Sequence, residues 1–321
     1  MEFRQLGTSG LTVSVVGLGC NNFGARCDYD RSREVLFEAL DSGINLFDTA
    51  DIYGGKGTSE TFMGKILKGR RDEFVLATKF GMDMGTGDVA RGSRRYIMKA
   101  VEASLTRLDT DYIDLYQLHA PDEKTPVEET LQALSDLVHQ GKVRYIGSSN
   151  FAGWQVADAD HLAREIGSER FISAQNYYNL LHRDVELDLL PAARHFGVGV
   201  LPFFPLESGL LTGKFHRNEP AVSGTRLASR PELLEKTNFD LLEALEKVAR
   251  EAGMELLDLA FGYLTFHPEV SSVIAGATSA EQVRRNVATL EHAVDAPLVA
   301  KVEEAMAPWS HLRRPGHVVQ G

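Results

Sequence analysis

Short apolar runs alternate with longer amphipathic stretches along the whole chain. Eight of the runs are almost continuously apolar, which is typical of strands that are covered on both faces. They lie at 14–19, 45–50, 74–80, 112–119, 143–150, 171–179, 198–206 and 270–276. In the segments between them, apolar residues recur at spacings of three and four, which predicts helices. The clearest helices are expected at 31–41, 59–67, 96–108, 127–140 and 152–166.

Several glycines mark the ends of these amphipathic stretches. Each stands where a residue in the left-handed conformation commonly terminates a helix. They are Gly43, Gly141, Gly167 and Gly197. Eight strand–helix units predict an α/β fold in which a parallel sheet closes into a (β/α)8 barrel.

Two segments interrupt the alternation of strands and helices. The first 12 residues predict a β-hairpin that caps one end of the barrel. Residues 207–238 form a long polar insertion after the seventh strand, and loops of this length are usually functional or disordered. No linker is evident, so we expect residues 1–321 to form a single domain that ends in a C-terminal helix and tail.

The charge and cysteine content exclude several classes of protein. Lys and Arg number 34 and Asp and Glu 45, so the formal net charge is −11, which argues against a nucleic-acid or membrane partner. No apolar run approaches the roughly 18 residues of a membrane span, and we find no secretory signal. Two cysteines, Cys20 and Cys27, do not make a disulfide framework. We therefore expect a cytoplasmic protein that acts on a small molecule; the oligomeric state is not indicated.

Polar residues interrupt five consecutive strands close to their carboxyl ends. They are Asp48, Lys79, His119, the pair Ser149 and Asn150, and Gln175. A single histidine or lysine at such a place is more often structural or solvated. In a closed parallel barrel, however, all carboxyl ends of the strands lie at one face, where active sites are found. The five strand ends together therefore predict one shared site.

These strand ends and their surroundings resemble the aldo-keto reductase superfamily over essentially the whole chain. The resemblance is carried by FDTADIYGGKGTSE (47–60), TKFG (78–81), the dipeptide Leu118-His119, IGSSNF (146–151), Gln175, PLESGLLTGK (205–214) and GATSAEQVRRN (276–286). It includes the branch of the potassium-channel β subunits. The resemblance implies a (β/α)8 barrel and NADPH-dependent reduction of aldehydes and ketones to alcohols, without a metal ion.

The catalytic tetrad of the family falls on Asp48, Tyr53, Lys79 and His119. Carbonyl reduction needs a hydride from nicotinamide C4 and a proton on the oxygen. A free tyrosine has a pKa of about 10, and a nearby ammonium group lowers it. We therefore expect Lys79, held by Asp48, to lower the pKa of Tyr53, which acts as the general acid. His119 is expected to orient the carbonyl oxygen.

The resemblance also implies where the cofactor is held. Ser149, Asn150 and Gln175 are assigned to the nicotinamide carboxamide, and Phe203 to stacking on its ring. Many relatives read Tyr-Ser-Pro-Leu where this chain has Phe203, Phe204, Pro205 and Leu206, so one hydroxyl is missing. Cys20, Asn21 and Asp48 are expected beside the same path.

The phosphates of the cofactor are expected after the seventh and eighth strands. Ser208, Gly209 and Lys214 offer backbone N–H groups and a positive charge to the phosphates. Arg226 of the insertion would hold the phosphates from above. Beyond Gly276 a helix begins near residue 280, and a helix N-terminus suits an anion. The family positions for the adenosine 2′-phosphate are Thr278 and Gln282, with Asn286 near the adenine. NADPH is therefore preferred, with NADH possible.

The substrate wall is expected to include Phe23 and Phe80 beside Tyr53 and His119, with the tail around Trp309 as a cover. Three other functions remain open. The enzyme could run as an aldose or alcohol dehydrogenase with NAD(P)+. Lys79 could form a Schiff base in a lyase, which requires that no carboxylate pairs with it. The chain could also be a non-catalytic NADP(H)-binding subunit like the channel β subunits, in which an asparagine commonly replaces the histidine found here at 119.

Overall fold

The computed structural model describes residues 1–312. Its first two strands, β1 (Phe3–Gln5) and β2 (Thr12–Ser14), pair antiparallel as a hairpin. Leu6 and Val13 of this hairpin pack against apolar side chains from inside the barrel, among them Leu115. The predicted cap is confirmed, and it extends to residue 14.

Eight parallel strands form a closed barrel in which each strand pairs with the next one along the chain and the last pairs with the first. They are β3 (Val16–Gly19), β4 (Leu46–Asp48), β5 (Val75–Phe80), β6 (Ile113–Leu118), β7 (Val143–Ser149), β8 (Ser173–Tyr177), β9 (Gly199–Phe203) and β10 (Val273–Gly276). The predicted (β/α)8 barrel is confirmed. All eight strands are shorter than the apolar runs, because the runs extend into the loops before or after the strands.

Helices surround the barrel. The α-helices are α1 (Tyr29–Asp41), α2 (Tyr53–Lys56), α3 (Thr58–Ile66), α4 (Arg94–Leu108), α5 (Val127–His139), α6 (Gly153–Ile166), α7 (Leu189–Phe196), α8 (Pro231–Glu235), α9 (Phe239–Glu251), α10 (Leu256–Phe266), α11 (Ala280–Ala288) and α12 (Ala296–Met306). Short 3-10 helices lie at Arg71–Glu73, Asp184–Glu186, Glu207–Thr212, Leu227–Ser229, Thr289–Glu291 and Ala307–Leu312. Within residues 1–312, none of the helices is long and apolar enough to cross a membrane.

The five helices predicted most clearly are all present, and the four glycines that were expected to end helices have φ between 67° and 81°. The insertion at 207–238 is structured. Leu210, Phe215 and Leu227 form a small apolar cluster of their own there. This cluster lets the insertion fold as a cover on the barrel.

The pleat of the strands sorts their side chains between two apolar layers. Phe80 on β5 faces the outer helices, where its ring stacks on Tyr116 at 4.7 Å between centroids. Ala77, two residues before Lys79 on the same strand, lies in the apolar cluster inside the barrel. Lys79 therefore points inward, since alternate residues of a strand share a face. Its partner across β5 and β6 is Gln117. A polar layer thus lies above the apolar floor, at the carboxyl ends of the strands.

Candidate active site

A cavity of about 800 Å³ opens at the carboxyl ends of the barrel strands. Tyr53 and His119 line it. So do most residues that were expected to bind the cofactor: Asn21, Asp48, Ser149, Asn150, Gln175, Phe203, Phe204, Pro205, Leu206, Ser208, Gly209, Lys214, Arg226, Gly276, Thr278, Gln282 and Asn286. The structure thus brings together side chains that lie far apart in the sequence.

A buried ion pair forms the floor of this cavity. The Lys79 side chain is fully buried, and its Nζ donates to Asp48 Oδ2 at 2.6 Å and to the Thr49 carbonyl at 3.0 Å. The other carboxylate oxygen, Oδ1, accepts from Gln175 Nε2 at 2.9 Å and Gln117 Nε2 at 3.3 Å. With three hydrogen bonds to other groups around it, the pair is compensated for its loss of water. Gln117 was not singled out from the sequence, although its place within an apolar strand was a signal.

Tyr53 stands beside this pair. It follows β4 by five residues and starts the short helix α2, whose Gly54 and Gly55 have φ of 67° and 81°. Lys79 Nζ lies 5.2 Å from the centroid of the Tyr53 ring. The His119 ring contacts the Tyr53 ring edge-on, with 5.8 Å between the two centroids. The three predicted side chains therefore share one corner of the cavity.

The pKa of Tyr53 differs from the sequence expectation. Burial is the largest influence and raises the pKa, the charge of Asp48 adds to it, and together they outweigh the lowering by the Lys79 charge and hydrogen bond, so the net shift is upward. The expectation that Lys79 brings the pKa of Tyr53 below its ordinary value is therefore corrected, because the sequence gives no measure of desolvation. Burial alone would lower the pKa of Lys79, but Asp48 and Tyr53 hold it above its usual value. Tyr53 is a neutral hydroxyl beside a charged ammonium group.

His119 is a neutral imidazole. Burial, together with the charge of Lys79, lowers its pKa to about 3. Its Nδ1 atom is buried and has no hydrogen-bond partner in the described part of the chain. Asn150 Nδ2 donates to the His119 carbonyl at 2.9 Å, which fixes the backbone at this strand end.

Ser149, Asn150 and Gln175, next to this corner, are linked by hydrogen bonds to one another. Ser149 Oγ donates to the Gln175 carbonyl at 2.8 Å, and Asn150 Nδ2 also lies 3.3 Å from Ser149 Oγ. Asn150 has a φ of 60°, and its Oδ1 is buried without a partner among residues 1–312. A buried acceptor of this kind suits a ligand that donates a hydrogen bond, such as a primary carboxamide.

The far end of the cavity is built around the start of α11. Ser279 caps this helix by accepting from the Gln282 N–H, and the Thr278 N–H donates to Gln282 Oε1 at 2.8 Å. Arg285 forms ion pairs with Glu255 and Asp258. Its charge is thus largely balanced by Glu255 and Asp258, so it is less available to an anion.

Arg226 reaches over the cavity from the insertion. Its guanidinium group lies 5.1 Å from the centroid of the Phe204 ring and donates to Asn22 Oδ1 at 3.3 Å. No carboxylate within residues 1–312 forms an ion pair with Arg226, Lys214 or Arg26. The Phe204 ring provides the face against which the guanidinium group of Arg226 packs.

Arg26 was missed in the sequence because it belongs to no motif. It lines the cavity and donates from Nη2 to the Gly224 carbonyl of the insertion at 2.7 Å. This contact joins the loop after β3 to the cover across the cavity.

Three predicted site residues do not line the cavity. Phe80 points outward because Lys79 beside it points inward. Phe23 and Cys20 are fully buried in the apolar core, while Asn21 faces the cavity between them. Trp309, expected as a cover, packs against the core, and the tail beyond residue 312 lies outside the described residues. The substrate wall as predicted is corrected accordingly.

Comparison with known proteins agrees with this arrangement. The sequence model of the aldo/keto reductase family matches residues 15–307. The chain belongs to this family. An uncharacterized oxidoreductase of Bacillus subtilis, YrpG, is 38% identical and covers 95% of each chain. A putative voltage-gated potassium channel subunit beta of Schizosaccharomyces pombe is 36% identical over 91% of this chain and 88% of its own. L-glyceraldehyde 3-phosphate reductase of Escherichia coli is 35% identical, with the same shares.

The site of this family member does not meet the requirement of a Schiff-base lyase. That reaction needs Lys79 without a carboxylate partner, and Asp48 lies 2.6 Å from its Nζ. A charged, paired ammonium group has no free electron pair with which to attack a carbonyl carbon.

Asp51, behind the cavity floor, provides a test of this electrostatic environment. Its side chain is 2% exposed, and burial and the nearby Glu60 raise its pKa from 3.8 to about 7. Between these pH values the folded state holds a proton that the unfolded chain has lost, so the free energy of unfolding falls as pH rises. The stabilisation of the protein by Asp51→Asn should therefore be about 2 to 3 kcal/mol larger near pH 8 than near pH 5.

The measurement is urea unfolding of both proteins across this pH range. Asp111→Asn, at an exposed position, is the matched control and should leave the pH dependence unchanged. Equal pH dependence in the wild type and Asp51→Asn would contradict the raised pKa.

Proposed function

We propose that the protein reduces aldehydes and ketones to alcohols with NADPH. The observation that carries this proposal is the corner where the neutral hydroxyl of Tyr53, the Lys79–Asp48 pair and the neutral imidazole of His119 meet on a cavity wall. A proton donor, a fixed positive charge and a hydrogen-bonding group are what the oxygen of a carbonyl requires as it gains negative charge.

The cavity suits a dinucleotide in size and in chemistry. Its volume of about 800 Å³ is within the range of ligand-binding cavities. At one end, Asn150 Oδ1, which has no hydrogen-bond partner within residues 1–312, fits the NH2 group of a nicotinamide carboxamide, together with Ser149 and Gln175. At the other end, the start of α11 with Thr278 and Gln282 fits the adenosine phosphate. When bound, the nicotinamide supplies the hydride.

Tyr53 then donates its hydroxyl proton to the carbonyl oxygen. Its raised pKa keeps the proton on the hydroxyl until the oxygen becomes strongly basic. Lys79 stabilises the negative charge left on Tyr53, and Asp48 keeps Lys79 charged and in place. His119 is uncharged, so it orients the carbonyl by hydrogen bonding and does not compete with Tyr53 as the acid. In alcohol oxidation the same groups act in reverse.

We prefer NADPH to NADH because Thr278 and Gln282, the positions that the resemblance gives to the 2′-phosphate, line the cavity, while Lys214 and Arg226 provide positive charge for the other phosphates. The 2′-phosphate would lie near Thr278 and Gln282. Two buried cysteines without a disulfide suit a reducing compartment such as the cytoplasm.

The proposal is tested by the oxidation of NADPH, followed by absorbance, over a panel of aldehydes, ketones and aldoses. We expect turnover with several aldehydes and a kcat/KM with NADPH at least about tenfold above that with NADH. The panel should include glyceraldehyde with and without a 3-phosphate, because one relative is named for the phosphorylated compound. Preference for NADH would overturn the cofactor assignment.

The relative named as a channel β subunit favours a second candidate, a regulatory subunit that binds NADP(H) without rapid turnover. The two functions are separated by a fluorescence titration of NADPH beside the turnover assay. Binding in the absence of turnover with every substrate would favour the subunit. The presence of His119, where channel subunits commonly carry asparagine, supports the enzyme.

A further inference from the structure

The backbone that follows β9 is strained beside the cavity. Phe204, Glu207 and Ser208 have φ of 50°, 46° and 58°, in the left-handed region that side chains other than glycine rarely adopt. Every residue from 203 to 209 lines the cavity except Glu207. The side chain of Glu207 therefore leaves the cavity wall in the middle of the strained segment.

One carboxylate oxygen of Glu207 is surrounded by three side chains from the end of β8 and the loop that follows it. Its Oε2 accepts from the Tyr177 hydroxyl at 2.5 Å and from Asn179 Nδ2 at 2.9 Å, and His182 Nε2 lies 3.2 Å away. Asn179 Nδ2 also donates to the Phe204 carbonyl at 2.8 Å. Since Tyr177 ends β8, these bonds tie the loop after β9 to the loop after β8.

Through Tyr177, the hydrogen bonds of Glu207 also affect Phe203 in the aromatic wall of the cavity. The Tyr177 ring is almost parallel to the Phe203 ring, with 5.6 Å between centroids and 8° between planes. His182 stacks on Tyr177 as well, at 4.4 Å. The Tyr177 ring cannot tilt without breaking the bond from its hydroxyl to Glu207. Glu207 thus fixes the ring that supports Phe203.

We propose that Glu207 is a positioning residue for cofactor binding, which holds the backbone at 204–208 and the Tyr177–Phe203 stack ready for the cofactor without touching it. This inference rests on the proposed function, in which the cavity binds NADPH. Strained backbone persists only where its surroundings over-determine it. A site that is ordered during folding binds its ligand more tightly because the ordering is not required at the binding step.

The test is a fluorescence titration of NADPH with Glu207→Ala and Glu207→Gln. We expect Glu207→Ala to raise the Kd about tenfold while kcat at saturating NADPH stays within about threefold. Glu207→Gln should raise the Kd less, because its amide oxygen still accepts from Tyr177 and Asn179. Tyr177→Phe keeps the ring and loses the hydroxyl, so its Kd should also lie between the wild type and Glu207→Ala.

The matched control is Glu269→Ala. Glu269 is a buried carboxylate paired with Arg194, and its carbonyl accepts from Val200 near the start of β9, away from the cavity. It should lower the Tm and leave the NADPH Kd unchanged. A wild-type Kd in Glu207→Ala overturns the inference, whatever its Tm. If that variant does not fold, a wild-type Kd in both Glu207→Gln and Tyr177→Phe overturns it. Failure of the wild type itself to bind NADPH would reject the proposed function instead.

Discussion

Replacing Tyr53 by phenylalanine is expected to lower kcat for carbonyl reduction by about a thousandfold or more, in the range typical of a lost general acid. The ring remains, so the edge-on contact with His119 and the neighbourhood of Lys79 are kept. The only loss is the hydroxyl that donates the proton. NADPH should bind with an affinity within about threefold of the wild type, because the affinity does not depend on that hydroxyl.

The matched control is Tyr29→Phe. Tyr29 is partly exposed, packs edge-on against Phe62 and does not line the cavity. It should turn over at the wild-type rate. Stopped-flow measurement of a single turnover separates the chemical step from product release. Retained turnover in Tyr53→Phe would remove Tyr53 from the role of the acid, and loss of NADPH binding would assign it to the cofactor site.

Neutralising both Lys214 and Arg226 to glutamine is expected to raise the Kd of NADPH about a hundredfold. The protein carries a net charge of −11, so a polyanionic ligand is repelled overall and depends on local positive charge. Neither cation has a carboxylate partner among residues 1–312, so each is available to a phosphate. Arg226 is also held over the cavity by Phe204 and Asn22.

The ionic strength provides a second measurement. The affinity of the wild type should fall with added salt, and that of the double variant should fall less. Arg284→Gln is the control, since Arg284 carries the same charge in the last described βα unit but pairs with Glu38 outside the cavity. An unchanged NADPH affinity in the double variant would contradict the proposal that Lys214 and Arg226 supply the local positive charge for the cofactor.

The order of the elements and the common location of the candidate site could be predicted from the sequence. Eight apolar runs alternating with amphipathic segments specify the barrel, since a strand covered on both faces and a half-covered helix have different periods. Asp48, Lys79 and His119 could be placed at one face because parallel strands end together there. These inferences depend only on local periodicity and chain direction.

The conformation of the loops could not be predicted in this way. Arg26 donates to Gly224 across 198 residues of sequence, and Glu207 is held by Tyr177 from the preceding strand end. Such contacts join loops that the closed barrel brings close together in space, so no local sequence pattern predicts them. The same holds for Cys20, which lies near polar site residues in sequence but is buried in the core.

The sequence by itself therefore determined the fold, the family resemblance and the residue types that meet at the carboxyl ends of the strands. Only the tertiary structure decided which of them face the cavity and how they ionise. The pKa of Tyr53 is the clearest case: the sequence places Lys79 nearby, but burial outweighs its charge. Burial is a property of the whole packed molecule, whereas strand ends and the periodicity of apolar residues can be recognised in short stretches of sequence.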